Sequence, residues 1–197
     1  MEKLIIRYKN YLSTFPFITD DDCKLFENHL VYRKLKKNEL FLQKNKICNE
    51  MGFITKGLFR QFFIHNDKEI NVSFFNEEQF VVDYDSFINK KQSKYFIESI
   101  EESEIISFNY ETLINGYNNS KNWERFGRLI SEMCYNIINE RMEDFQFLNG
   151  EQRYIKLTKE NPKLIERVPL YHLSSYIGME RESLSRLRKK IRDKNIL

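Results

Sequence analysis

Cysteine is scarce and scattered. Cys23, Cys48 and Cys134 are an odd number at wide spacings, without the close pairs from which zinc sites, iron–sulfur clusters or disulfide frameworks are made. They read as reduced thiols in a cytoplasmic protein, and no metal is expected. Histidine is equally sparse: His29, His65 and His172 stand apart from one another and from Cys134, so no nucleophile–base spacing is spelled out. Six glycines are dispersed over 197 residues, and none belongs to a phosphate-cradling loop. An enzyme is therefore not expected, and no cofactor is assigned. No stretch approaches the roughly 18 unbroken apolar residues that a membrane span requires, and Lys3, Arg7 and Lys9 interrupt the apolar run near the start. The chain is expected to be soluble and unexported, with no membrane partner.

What is present is enough for a substantial core: 41% of residues are hydrophobic and 15% aromatic, in a length that suits one large domain or two small ones. The formal net charge of +3 conceals an uneven distribution. Residues 151–197 hold 12 Lys and Arg against 6 Asp and Glu, or +6, and the rest holds 20 against 23, or −3. A compact basic end on a mildly acidic body points toward a polyanionic partner.

Leu4, Ile5, Tyr8, Tyr11 and Leu12 recur at helical spacing and predict an opening helix that stops near Pro16. A second helix follows, with Thr19 and Asp20 placed to cap it. From Val31 to Phe108 the texture changes to short runs rich in Phe, Ile, Val and Tyr, broken by turn pairs such as Lys56-Gly57 and Asn66-Asp67. The predicted strands are Val31–Leu35, Glu39–Gln43, Glu50–Thr55, Leu58–His65, Glu69–Phe75, Tyr95–Ile100 and Glu104–Phe108, a number and spacing that suit a barrel or sandwich.

After a short helix at Glu111–Gly116 comes the longest helical pattern, from Asn119 to Leu148. Trp123, Phe126, Ile130, Met133 and Ile137 fall at steps of three and four, the seam of a two-chain coiled coil. Met142, Phe145 and Leu148 drift off that seam and are expected to pack on the β-structure. Gly150 ends the helix, another runs from Glu151 to Glu160, and Pro162 breaks the chain. The expected domains are residues 1–118, mainly β; 119–148, a dimerisation helix; and 149–197, helical.

The segment from Leu170 to Lys189 meets the physical demands of a helix-turn-helix. Two short helices crossing tightly need a small residue at the crossing, a glycine in the turn and apolar residues facing inward. Ser174 is small, Gly178 accepts a positive φ, and Leu173, Ile177, Met179, Leu184 and Leu187 supply the inner face. At about 100° per residue, Leu184, Leu187 and Ile191 cluster on one side of the second helix. Glu182, Ser185, Arg186 and Lys189 fall opposite, with Arg181 beside them at the amino-terminal end that reaches base edges in this motif. Arginine chelates guanine O6 and N7, and glutamate accepts from cytosine N4. Arg181, Glu182 and Arg186 are thus the expected base-reading residues, and Ser183, Ser185, Lys189 and Lys190 the expected phosphate contacts. The competing reading is a ligand-binding sensor whose helix-turn-helix serves protein contacts; the intact Arg181/Glu182/Arg186 set speaks against it.

Gly178-Met179-Glu180-Arg181-Glu182-Ser183-Leu184-Ser185-Arg186-Leu187-Arg188-Lys189 resembles the recognition segment of the Crp/Fnr family of bacterial regulators. Gly52-Phe53-Ile54-Thr55-Lys56-Gly57 resembles that family's hairpin, and Phe80–Phe87 the lead into its phosphate-binding cassette. The resemblance implies an α+β protein with a jelly-roll-like β-barrel of cyclic-nucleotide-binding type, a long dimerisation helix and a carboxy-terminal helix-turn-helix. It implies a transcription regulator acting as a homodimer on palindromic double-stranded DNA, with RNA polymerase and a small-molecule effector as further partners. Cyclic-AMP-binding members carry Gly-Glu and Arg-Ser where this chain has Val82-Asp83 and Ser93-Lys94. The phosphate-binding arginine is missing, which places the chain in a subgroup not expected to bind cyclic AMP. Asp83, Tyr84, Ser93, Lys94 and Tyr95 then line the candidate effector pocket, for an effector of unknown identity. Because the sequence ends at Leu197, the β-hairpin wing that follows the recognition helix in the family is expected to be short or absent.

Overall fold

The computed structural model describes residues 2–193. Helices α1 (Glu2–Leu12) and α2 (Asp20–Glu27) lead into strands β1 (Val31–Leu35), β2 (Leu40–Leu42), β3 (Glu50–Lys56), β4 (Phe59–His65), β5 (Lys68–Phe75) and β6 (Phe80–Val81). After α3 (Tyr84–Asn89) come β7 (Phe96–Ser99) and β8 (Ser103–Asn109), and then six helices. These are α4 (Tyr110–Asn119), the long α5 (Lys121–Phe147), α6 (Gly150–Glu160), α7 (Pro162–Arg167), α8 (Leu170–Ile177) and α9 (Arg181–Asp193). The stretch beyond Asp193, on which the expected short or absent wing falls, lies outside the described residues.

The strands form two four-stranded sheets, ordered β1-β8-β3-β6 and β2-β7-β4-β5. The expected jelly-roll-like β-barrel is thus two separate sheets that do not close on each other. β6 has two residues and β2 three, and each sits at the edge of its sheet, too short to carry a hydrogen-bonded ladder round into the other sheet. The central pairing of β3 with β8 is antiparallel, with Phe53 opposite Ile106 and Ile54 opposite Ile105. All four side chains are buried, so β3 reads as a continuous apolar run because α1 packs on it and on β8. Tyr8 and Tyr11 of α1 each place a ring centroid 5.0 Å from that of Phe53.

By its contacts the chain divides at Gln61/Phe62, Ser73/Phe74 and Met133/Cys134 into two compact units. The first holds both sheets except residues 62–73, together with α1–α4 and the first half of α5. Its core joins Leu35, Phe53, Ile54, Phe59, Ile97 and Ile105 with Phe26, Trp123 and Phe126. Two positions of the expected dimer seam, Trp123 and Phe126, therefore serve this core instead. The cause is α2: Thr19 caps it, its hydroxyl accepting from the Asp22 amide at 3.3 Å while the Asp22 carboxylate accepts from the Thr19 amide at 2.8 Å. Asp22 also accepts from Ser120 and from Asn122, which seats the start of α5 against α2 and turns Trp123 inward.

The second unit comprises residues 62–73 and the described residues from Cys134 on. Asn149 caps α6 with a reciprocal Gln152 bond, and Lys156 ties α6 to α5 through Glu140 at 2.6 Å and Asp144 at 2.9 Å. Burial alone would lower the Lys156 ammonium, but these carboxylates raise it above its ordinary value. Pro162 begins α7 rather than merely breaking the chain, since its missing N–H is harmless at the first helical position. Among the described residues no helix is long and apolar enough to cross a membrane, and no cluster of His, Cys, Asp or Glu gathers as a metal site.

Candidate nucleic-acid interface

Helix α8 ends where Gly178 takes φ +68° and ψ 43°, a left-handed conformation that costs side-chain-bearing residues. Its amide donates to the Ser175 carbonyl at 3.3 Å, and the Met179 amide to that of Ser174 at 2.9 Å, so the turn closes over the last carbonyls of α8. A Cβ on Gly178 would stand 3.0 Å from Cε1 of Phe145. Ser174 is buried, and its hydroxyl donates to the Tyr171 carbonyl at 3.0 Å one turn earlier on α8.

Leu184, Leu187 and Ile191 point inward from α9. Arg181, Glu182, Ser185, Arg186 and Lys189 are all exposed, so the projection from helical periodicity and the solvent-facing surface agree. Two of the expected phosphate contacts have protein partners: Lys190 Nζ lies 3.3 Å from Glu151 of α6, and Ser183 Oγ accepts from Arg186 Nη2 at 3.1 Å. Both contacts are at the surface, where such pairs are worth little and exchange readily.

Two arginines that periodicity does not single out fix the end of α8. Arg141 of α5 donates Nη2 to the Tyr176 carbonyl at 2.8 Å and stacks its guanidinium 3.7 Å from the Tyr176 ring centroid. Arg153 of α6 donates Nε to the Ile177 carbonyl at 2.9 Å. Phe145 lies beside both guanidiniums, 4.9 Å from that of Arg141 and 4.4 Å from that of Arg153. These contacts bring guanidinium donors to the Tyr176 and Ile177 carbonyls at the end of the helix. The other side of α8 meets residues 62–73. Ser175 Oγ accepts from the Asn71 amide and donates to the Glu69 carbonyl, both at 2.9 Å, and buried His172 places Nδ1 3.4 Å from Asn71 Nδ2. No local sequence signal announces these bonds, which join residues more than 100 positions apart.

The remaining expected sites lie elsewhere. Along α5, Met133 and Ile137 are exposed, with Cys134 and Ile138 beside them, while Ile130 is half-buried against the first unit's core. Met142 is exposed as well. The pocket candidates fall around α3 and β7 of the first unit. Asp83 is buried at the start of α3, where Tyr84 is exposed. Ser93 is buried, and its hydroxyl accepts from the Tyr95 amide at 2.9 Å, so that group is engaged in its own turn. Lys94 is exposed, its ammonium 5.2 Å from the centroid of half-buried Tyr95.

No protein-family model and no curated protein matches the chain. Solved structures do. The c-di-GMP-responsive global regulator CLP of Xanthomonas campestris superposes with a TM-score of 0.71 at 16% identity, over 90% of this chain and 93% of its own. A protein described as a transcriptional regulator of the Crp/Fnr family from Eubacterium rectale gives 0.71 at 12%, covering 94% and 88%. FixK2 from Bradyrhizobium japonicum gives 0.72 at 11%, covering 85% and 87%. These neighbours include transcription regulators rather than enzymes, and over nearly its whole length this chain has the mixed sheet-and-helix fold that they share.

Proposed function

We propose that this protein is a sequence-specific DNA-binding transcription regulator of the Crp/Fnr type, acting as a homodimer on a palindromic operator. The observation that carries the reading is α9: its apolar side is fully engaged while Arg181, Glu182 and Arg186 face solvent together at its amino-terminal half, on a helix set by a tight glycine turn. In this reading α9 enters the major groove as the second helix of a helix-turn-helix within residues 149–197. Arg181 and Arg186 donate in bidentate fashion to guanine O6 and N7, and Glu182 accepts from cytosine N4. Ser183, Ser185, Lys189 and Lys190 contact phosphate, Lys190 leaving Glu151 to do so. That two of the superposed proteins are a global regulator and a described Crp/Fnr transcriptional regulator supports it, as does the +6 charge of residues 151–197.

A second copy pairs along the 119–148 helix through Ile130, Met133 and Ile137, whose apolar surface water disfavours; Trp123 and Phe126 take no part. Residues 1–118 form the effector-type domain around Asp83, Tyr84, Ser93, Lys94 and Tyr95. With Ser93 committed to its own turn and Ser93-Lys94 standing where cyclic-AMP-binding members carry Arg-Ser, a cyclic phosphate lacks its bidentate donor, and cyclic AMP is not the effector. The protein acts in the cytoplasm, with RNA polymerase as a further partner.

Selection of duplexes from a random pool by the purified protein tests the reading. The enriched sequences should be inverted repeats with half-site centres about 34 Å apart, one helical turn. Enrichment of nothing, or of sequences without two-fold symmetry, contradicts it.

A further inference from the structure

Ser175 is used in a way that helix packing does not require. It stands half-buried on the face of α8 that meets residues 62–73. Its one hydroxyl both accepts the Asn71 amide proton and donates its own to the Glu69 carbonyl, at 2.9 Å each. Glu69 and Asn71 are alternate residues of β5. In a strand, the amide of one residue and the carbonyl two positions before it point to the same side, the pattern a neighbouring strand would pair with. The hydroxyl thus takes the place of a strand's backbone at this point of β5. A second contact beside it, Asn71 Nδ2 to His172 Nδ1 at 3.4 Å, lies one helical turn earlier on α8, so two points along the helix are held. At its far end Arg141 and Arg153 hold the Tyr176 and Ile177 carbonyls. Residues 62–73 accordingly belong to the second compact unit, although β4 begins and β5 ends in the first.

We propose that Ser175 is a positioning residue through which the β4–β5 hairpin becomes a working part of the DNA-reading head. The hairpin fixes the tilt of α8, α8 packs on α9, and the Arg181/Glu182/Arg186 face is thereby held at the angle that base contacts demand. The inference rests on the DNA-binding reading and adds the element that sets the reading geometry. Bidentate base contacts require donors placed within a few tenths of an ångström and some 10–20°, whereas phosphate attraction tolerates a tilting helix. Loss of the hydroxyl therefore affects discrimination more than adhesion.

The test uses the full chain and the variants Ser175→Ala and Ser175→Thr, the second keeping the hydroxyl. Hydrogen–deuterium exchange is read at Asn71 and along α8, and affinity is measured for the selected duplex and for a scrambled duplex of equal length. For Ser175→Ala, exchange at Asn71 and in α8 should quicken roughly two- to tenfold, the equivalent of one hydrogen bond, with β3 and β8 unchanged. The ratio of selected to scrambled affinity should fall by a similar factor, and Ser175→Thr should restore both. Unchanged exchange at Asn71 overturns the bracket itself, whether or not the protein binds DNA. Faster exchange with an unchanged affinity ratio, or an equal loss on both duplexes, overturns the positioning role. If the unaltered protein prefers no duplex while exchange responds as stated, the DNA-binding reading fails, and the positioning role falls with it.

Discussion

The indole Nε1 of Trp123 donates to the backbone carbonyl of Asp22 at 2.8 Å, and this one bond decides what the first turn of α5 does. The Trp123 ring lies against Phe26, centroids 4.1 Å apart, and Phe126 meets it edge-on at 5.3 Å. An apolar seam that looks uniform in sequence is split in two: its beginning packs inside its own unit, and its continuation at Met133 and Ile137 is left facing solvent.

The two halves should respond differently to mutation. Ile137→Asp places a charge on the exposed half and should convert a dimer to a monomer without lowering the melting temperature of the isolated chain's β-rich unit. Trp123→Ala should destabilise that unit by about 3–5 kcal/mol, the usual cost of deleting a large buried aromatic. Sedimentation alongside thermal melting checks both, and a chain that is already monomeric at micromolar concentration contradicts the pairing.

At Gly178 an added methyl meets two obstacles, a φ of +68° and the Phe145 ring at 3.0 Å. Gly178→Ala should cost about 1–2 kcal/mol from the backbone conformation alone and should weaken duplex binding, because the turn sets where α9 begins. Thermal unfolding and equilibrium binding of the same sample check it; a variant as stable and as tightly bound as the original is the contrary result.

Asp22 gives a pH dependence with a definite sign. Burial alone would raise its carboxyl, but hydrogen bonds from Ser120, Thr19 and Asn122 outweigh it and hold the group below its ordinary value. A carboxyl whose folded pKa is depressed contributes stability that is complete above its unfolded value, near 4, and is lost as pH falls through the folded value. The melting temperature should therefore drop below about pH 4, and Asp22→Asn should flatten that part of the profile while lowering stability at neutral pH. A profile unchanged by the substitution would show that Asp22 is not the group responsible.

Cys48 should be the slow thiol of the three. It is buried in the first unit, and burial pushes its pKa up to about 11, so little thiolate exists at pH 8. In the monomeric Ile137→Asp variant, where no seam covers Cys134, a maleimide or iodoacetamide should label exposed Cys134 well before Cys48, and the difference should vanish in denaturant. Equal rates in the native state would contradict the burial.

The parts of this fold that were legible in sequence are those set by local periodicity. The amphipathic α9, the Thr19 cap and the glycine turn each depend on residues within one or two helical turns, and the short β-rich runs fall close to the observed strands. Three features were not legible, for a common reason. The fate of Trp123 depends on Asp22, about 100 positions away; the two-sheet arrangement depends on where the edge strands β2 and β6 stop; and Ser175 depends on Glu69 and Asn71. None leaves a pattern in its own neighbourhood.

The most direct measurement of the central claim compares Arg181→Ala, Arg186→Ala and Lys189→Ala on the selected duplex and on a scrambled one, at two salt concentrations. Each arginine variant should lose about 1–3 kcal/mol on the selected duplex and little on the scrambled one, relaxing preference at one base pair per half-site. Lys189→Ala should weaken both duplexes alike and reduce the salt slope by about one unit for each phosphate contact removed. If the arginine variants instead lose affinity equally on both duplexes, Arg181 and Arg186 are backbone clamps, and α9 does not read sequence.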